Sequence, residues 1–395
     1  MNRGIYTYAW DLRDEGISTV VARLAESGLN TITLATSYHS GKFLRPHAPS
    51  RKLYFPEDGT IYFHHDQSRY GRIKPITNSM VADFDALREL EKQAPDFRRV
   101  GWTVCLHNTA LGTRHPDLVA RNVFGDPFYP GLCPSNPEVR EYVVNLCTDM
   151  GDNYALDSLL LETPGWLPHN HGYHHEFTLI ELNNRVESLL GLCFCDNCVD
   201  AVSKAGINIK AIKQNTQDTL NHFFLYGISG SKSSHTDWHS SDLTDDAEMN
   251  AFLEWRCQLV ANLVAEVRHE LNSSVELGVI PTVQSPNSLC WREGSDLRKL
   301  AGAADFLEVP AYQTGPKAIA EDSISVRQLA GTDARVNFIL RPSYPNLLNV
   351  EELNEAILAL QNAGMESLYF YNYGHLRLSA LDWIKTALGR LRKPN

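Results

Sequence analysis

Residues 156–165 read LDSLLLETPG: three leucines in succession, a glutamate, then a Pro-Gly turn. A short unbroken apolar run closed by turn residues is the pattern of a strand buried on both faces, as in a parallel sheet. Seven further runs share it: GIYTYAW from Gly4, NTITLATSY from Asn30, VGWTVCLHN from Val100, VELGVIPTV from Val275, DFLEVPAY from Asp305, VNFILRPSY from Val336 and SLYFYNYG from Ser367. Between them lie segments with apolar residues at helical spacing, such as ISTVVARLAESG, PEVREYVVNLCTDMG and VEELNEAILALQNAG. Gly28, Gly151 and Gly364 stand where helices are expected to stop, and Asn136-Pro137-Glu138 reads as a helix start. Eight strands alternating with helices predict an α/β fold, a (β/α)8 TIM barrel. The other arrangement of such alternation is an open doubly wound sheet, but no Gly-rich phosphate turn follows the first strand. The chain reads as a single barrel domain over 1–395, with extended βα loops and insertions at about 40–77 and 227–246.

Composition narrows the function. A net charge of −11 excludes a phosphate-binding, nucleic-acid-type surface, which needs a basic excess. No stretch approaches eighteen consecutive apolar residues, so no membrane span is expected. The opening MNRGIYTYAWDLRDEG carries charges where a secretory apolar segment would lie. The expectation is therefore a cytoplasmic protein whose eight cysteines are reduced thiols. Homo-oligomerisation is left open.

In a barrel of this type the chemistry sits at the C-terminal ends of the strands. Alternation along each strand predicts an inward set there: Ser37 and His39; Thr103, Cys105 and His107; Glu162; Glu308; Arg341. A charge behind Leu159–Leu161 is costly unless it is paired, for instance with Arg341, or faces a functional cleft. Glu308, inside FLEVP, carries the same alternatives. Two carboxylates in one pocket are what glycoside hydrolysis uses, one to protonate the leaving oxygen and one to attack the sugar or activate water. Glu162 is thus the candidate general acid and Glu308 the candidate second carboxylate. Aromatic residues accumulate near the same strand ends, and flat rings suit the apolar faces of a carbohydrate substrate. The candidate sugar contacts are Trp10, His39, His107, Asn108, Trp166, Tyr312, Arg341 and Tyr373. His169, His171, His174 and His175 follow Glu162 closely and offer either metal ligands or hydrogen bonds to a polyhydroxyl ligand. Two other readings follow: a carbohydrate-binding barrel without catalysis, and a metal-dependent lyase or hydrolase using the His169–His175 loop.

The run LCFCDNCVD from Leu192 places Cys193, Cys195 and Cys198 within six positions. Thiolates at such spacing converge on one tetrahedral zinc ion when a fourth ligand is available, and Cys133 in LCPSNPEVREY is the best-placed one. Cys133-Pro134-Ser135-Asn136-Pro137 with Arg140, then Glu162, then the CxCxxC run resembles, over roughly residues 100–200, glycoside hydrolase family 42 and related glycosyl-hydrolase-like barrels. The resemblance implies a structural Zn2+ on Cys133, Cys193, Cys195 and Cys198, and a general acid/base at Glu162. Two positions depart from that family: Leu161 stands where it has Asn, and the seventh strand ends in LRPSYP, with Arg341, where it has its nucleophilic Glu.

Overall fold

All eight apolar runs form strands in the computed structural model, which describes residues 1–172, 179–227 and 246–391. They are β1 (Arg3–Thr7), β2 (Thr31–Tyr38), β3 (Arg98–Val104), β4 (Ser158–Glu162), β5 (Glu276–Val279), β6 (Phe306–Pro310), β7 (Val336–Leu340) and β8 (Leu368–Phe370). Each pairs in parallel with its sequence neighbours, and β1 pairs with both β2 and β8, so the sheet closes into a barrel. A helix follows each strand outside the barrel: α1 (Ile17–Glu26), α2 (Ala86–Gln93), α3 (Pro137–Asn153), α4 (Ala247–Glu270), α5 (Leu297–Ala303), α6 (Pro316–Ala330), α7 (Val350–Asn362) and α8 (Leu378–Gly389). This is the TIM barrel, and burial of both strand faces explains why its strands read as unbroken apolar runs.

Local signals hold at several helix ends. Asn136 caps α3 by accepting from the Glu138 backbone N–H. Gly28 and Gly364 adopt φ of 80° and 76°, the left-handed conformation in which glycine meets least strain. Gly151 differs from expectation. It lies inside α3, where an added Cβ would come within 2.5 Å of Leu271, so it serves close packing rather than chain reversal.

Strand parity also differs from expectation. Trp102, not Thr103, faces the barrel interior: it pairs with Ala35 on β2 and Leu160 on β4, and its indole reaches Glu162. Thr103 points outward to the Thr36 hydroxyl at 2.9 Å, and Cys105 is buried behind the strand. A bulge between Ala35 and Ser37 then shifts β2, so that Tyr38 faces the mouth while Ser37 bonds the Val104 carbonyl. Polarity cannot report parity in a strand buried on both faces.

The insertion at 40–77 forms a short hairpin, Phe43–Leu44 with Leu53–Tyr54, and a strand Thr60–Ile61 that extends β2. It is tied to the loop after β1 through Arg45, fully buried against Asp11 at 2.9 Å and Asp14 at 2.8 Å. Residues 228–245, the body of the second insertion, lie outside the described residues. Between β4 and α4, helices Asn184–Leu190, Asp196–Lys204 and Ile209–Tyr226 build an excursion with its own apolar cluster, including Leu189, Val202, Leu220 and Phe252. Trp255 packs against both this cluster and the barrel core. Among the described residues no helix is long and apolar enough to cross a membrane.

Candidate active site and a buried cysteine cluster

A cavity of about 380 Å³ opens at the C-terminal ends of the strands, and every strand or the turn after it contributes to its wall. Tyr6, Tyr38, Trp102 and Tyr371 supply aromatic surface from β1, β2, β3 and the end of β8. Glu162, at the end of β4, is the one carboxylate on the lining among the described residues. A larger open groove of about 720 Å³ lies outside the barrel between α3 and α4, lined by Arg140 and Glu266, which bond to each other. It has no convergent reactive set comparable to the barrel mouth.

Glu162 accepts a hydrogen bond from the Trp102 indole N–H. Burial pushes its carboxyl up to about 7, against the opposing pull of that N–H and of the Arg341 cation. Arg341 lies over the Tyr312 ring, with 3.6 Å from its Cζ to the ring centre, and 5.0 Å from the Tyr371 ring. A chain of phenols runs along the wall, with Tyr8 bonded to Tyr38 at 3.1 Å and to Tyr371 at 2.9 Å.

Two imidazoles, His39 and His171, line the same cavity, with His107 packed behind them. His39 stacks on His107 with ring centres 3.9 Å apart, and His171 lies 5.2 Å from His107. Burial lowers His39 to about 4 and His107 to about 2, and lowers His171 as well, so all three are neutral at pH 7. One nitrogen from each lies within 4.8 Å of the others, so the three could hold a shared metal ion. His107 reaches the mouth although Thr103 and Cys105 do not, because the chain leaves β3 at Val104 and turns. His169 does not join this group; its backbone N lies against Gly191, and His174 and His175 lie outside the described residues.

Of the sequence candidates, Glu162, His39, Tyr312 and Arg341 line the cavity, with His107 directly behind His39. The others do not line it. Glu308 is fully buried one layer below, where it accepts from the Tyr6 hydroxyl at 2.6 Å, and burial pushes it up to about 8. Trp10 sits in the short helix Ala9–Glu15, packed on Tyr8 and Tyr54 within the wall. Trp166 is buried outside the barrel beneath the Arg256 guanidinium. Tyr373 bonds Glu15 and Arg23. Asn108 caps the helix Thr109–Arg114 and donates to the Gly59 carbonyl. Two further aromatics at strand ends, Tyr38 and Tyr371, line the cavity, while Tyr344 after β7 is 85% exposed.

Sequence reasoning did not single out Trp102, Tyr6 or Glu293. Trp102 and Tyr6 would follow from correct parity. Glu293 carries no local signal. It is fully buried, accepts from the Thr282 hydroxyl at 2.6 Å and the Val283 N–H at 3.0 Å, and is pushed by burial up to about 8.

The cysteine motif converges. Cys133, at the start of the α3 approach, lies 3.8 Å from Cys193, 3.6 Å from Cys195 and 3.5 Å from Cys198, sulfur to sulfur. All four are buried free thiols, within 4.8 Å of one another, and can hold one metal ion.

No family model matches this chain, and no curated protein sequence matches it. Solved structures do. The chain is similar to α-L-fucosidase isoenzyme 2 from Paenibacillus thiaminolyticus, with TM-score 0.60, 14% identity, and coverage of 98% of this chain and 49% of that one. It is similar to the PgaB (BpsB) glycoside hydrolase domain from Bordetella bronchiseptica at TM-score 0.60 and 12% identity, covering 96% and 98%. A β-galactosidase from Marinomonas ef1 matches at TM-score 0.57 and 12% identity, covering 98% and 59%. The chain thus spans only about half of the fucosidase. At these identities the likeness defines a shared barrel fold.

Proposed function

We propose that this protein is a glycoside hydrolase and that Glu162 is its proton donor. The observation that carries the reading is the one cavity carboxylate among the described residues, at the end of β4, whose carboxyl is pushed up to about 7. A general acid works best when its pKa lies near the working pH, so that it holds a proton and can give it to the departing oxygen. The aromatic wall gives the sugar an apolar face to lie on. Glu308 is the second carboxylate and acts through Tyr6, whose hydroxyl bridges it to the cavity. The fucosidase, PgaB domain and β-galactosidase likenesses support a carbohydrate substrate, as does the family 42 resemblance around Cys133, Glu162 and Cys193–Cys198. A screen of aryl and natural glycosides, with NMR of the first-formed anomer, tests the reading and gives its stereochemistry. No turnover of any glycoside by folded protein refutes it.

The metal on the cysteine cluster is zinc in this reading. An ion with bonds of about 2.3 Å to sulfur spaces four tetrahedral sulfurs about 3.8 Å apart. The three distances from Cys133, 3.5, 3.6 and 3.8 Å, fit that edge. Zinc there would staple the chain after β3 to the helical excursion and take no part in the reaction.

A second reading, a metal-dependent lyase or hydrolase, rests on the convergence of His39, His107 and His171 beside Glu162. Titration with Co2+ separates the two. A second bound ion that His171→Ala removes, together with activity, favours it.

A further inference from the structure

We propose that the barrel-mouth cavity recognises a sugar bearing a carboxylate, a uronide, and that Arg341 receives the carboxylate. The inference rests on the glycoside hydrolase reading for its sugar and on the surroundings of Arg341 for its charge.

Arg341 is the one lysine or arginine on the cavity wall among the described residues. It also differs from Arg45, the buried cation of the 40–77 insertion, which is held between Asp11 and Asp14. Among the described residues the Arg341 side chain has no carboxylate within ion-pair distance and makes no hydrogen bond, and its Nε–H is buried without an acceptor. Glu162, the nearest cavity carboxylate, is engaged by Trp102 instead. Leaving a guanidinium in a half-enclosed, aromatic-walled cavity without an ion-paired anion is unfavourable, and its terminal NH2 groups, unlike the buried Nε–H, stay open to a ligand.

The geometry of the guanidinium favours a planar anion. Its face is taken by the Tyr312 ring at 3.6 Å, which fixes its plane and leaves the N–H edge free. The Asn346 amide in turn holds the Tyr312 backbone carbonyl, so that segment is anchored. A stacked guanidinium with a free edge is the arrangement that takes a carboxylate through two parallel hydrogen bonds, and a lysine would not reproduce it. Glu162 and Arg341 stand on the same cavity, so the carboxylate and the glycosidic oxygen belong to one sugar or to adjacent ones.

The test compares matched pairs in the full-length protein. Kinetics use 4-nitrophenyl glucuronide and galacturonide in both anomeric forms against the corresponding glucoside and galactoside. Binding is read by NMR in Glu162→Gln, which does not depend on turnover, with glucuronate, its methyl ester, glucose and glucose 6-sulfate as probes. The expected result is a 10- to 100-fold preference for glucuronate over its uncharged methyl ester. Arg341→Met should collapse that ratio towards one, and Arg341→Lys should restore only part of it. The defect should fall on KM more than on kcat. Equal binding of acid and ester, preference for the sulfate over the carboxylate, or a preference that survives in folded Arg341→Met overturns the inference. Hydrolysis of neutral glycosides with refusal of uronides sinks this inference alone. Tight uronate binding without hydrolysis of any glycoside sinks the hydrolase reading alone.

Discussion

Replacing Trp102 by Phe isolates one contact in the surroundings of Glu162, the proposed proton donor. The indole N–H donates to Glu162, while the ring packs edge-on against Tyr6 at 5.0 Å between centres; Phe keeps a ring and loses the donor. A hydrogen bond to a charged group contributes about 1.5–3 kcal/mol, and one pKa unit corresponds to about 1.4 kcal/mol, so a full loss would raise the carboxyl by about 1–2 units. Water entering the cavity at Glu162 replaces part of the lost bond, which places the expected rise near the lower end, about 1 unit. In the proposed role Glu162 acts while protonated, so a higher pKa would extend activity to higher pH. The alkaline limb of kcat/KM on a natural glycoside should move from about 7 to about 8. At pH 8 the protonated fraction would rise from about one tenth to about one half, a several-fold gain relative to the rate at pH 6. The assay is a pH–rate profile on both proteins, with thermal melts confirming that the variant is folded at every pH used. A limb that stays in place or moves downward assigns it to another group and refutes the role of Glu162.

Three further outcomes are expected. Glu162→Gln should cost about 10²–10⁴-fold on natural glycosides and less on aryl glycosides with good leaving groups, while Glu308→Gln should slow both; near-normal activity of Glu162→Gln would place the acid elsewhere. Cys198→Ser should lower the melting temperature first and activity only secondarily, and elemental analysis should find one zinc fewer per chain; unchanged zinc content would place the ion elsewhere. Burial raises the Glu293 pKa in the fold, so its contribution to stability is full below about pH 4 and is lost as pH climbs through about 8. Glu293→Gln, which mimics the protonated form, should therefore melt like the native protein at pH 5 and above it at pH 8.5; equal melting at both would show that Glu293 does not titrate in this range.

The barrel was legible because both faces of its strands are buried, so each strand becomes an unbroken apolar run that composition alone reveals. LDSLLLETPG marked both a strand and the position of Glu162, and the CxCxxC run with Cys133 announced a cluster that the fold then closed. Short-range signals determined these. Other features depended on contacts that no local window contains. With both faces apolar, nothing in VGWTVCLHN tells which side of β3 is inside, and a one-residue bulge in β2 turned Tyr38 rather than Ser37 into the mouth. The same limit applied to the aromatics. Trp10 and Trp166 look like sugar platforms in sequence, yet chain turns carried one into the wall and the other under Arg256, while Trp102 became the indole at Glu162. Glu162 closes β4 whereas Glu308 is the middle residue of β6, and the meeting of the strands around the barrel placed one on the cavity and the other beneath Tyr6. Sequence determined which elements form, because that is set by neighbours along the chain; closure, register and stagger decided which side chains share the cavity, because these arise only when distant strands meet.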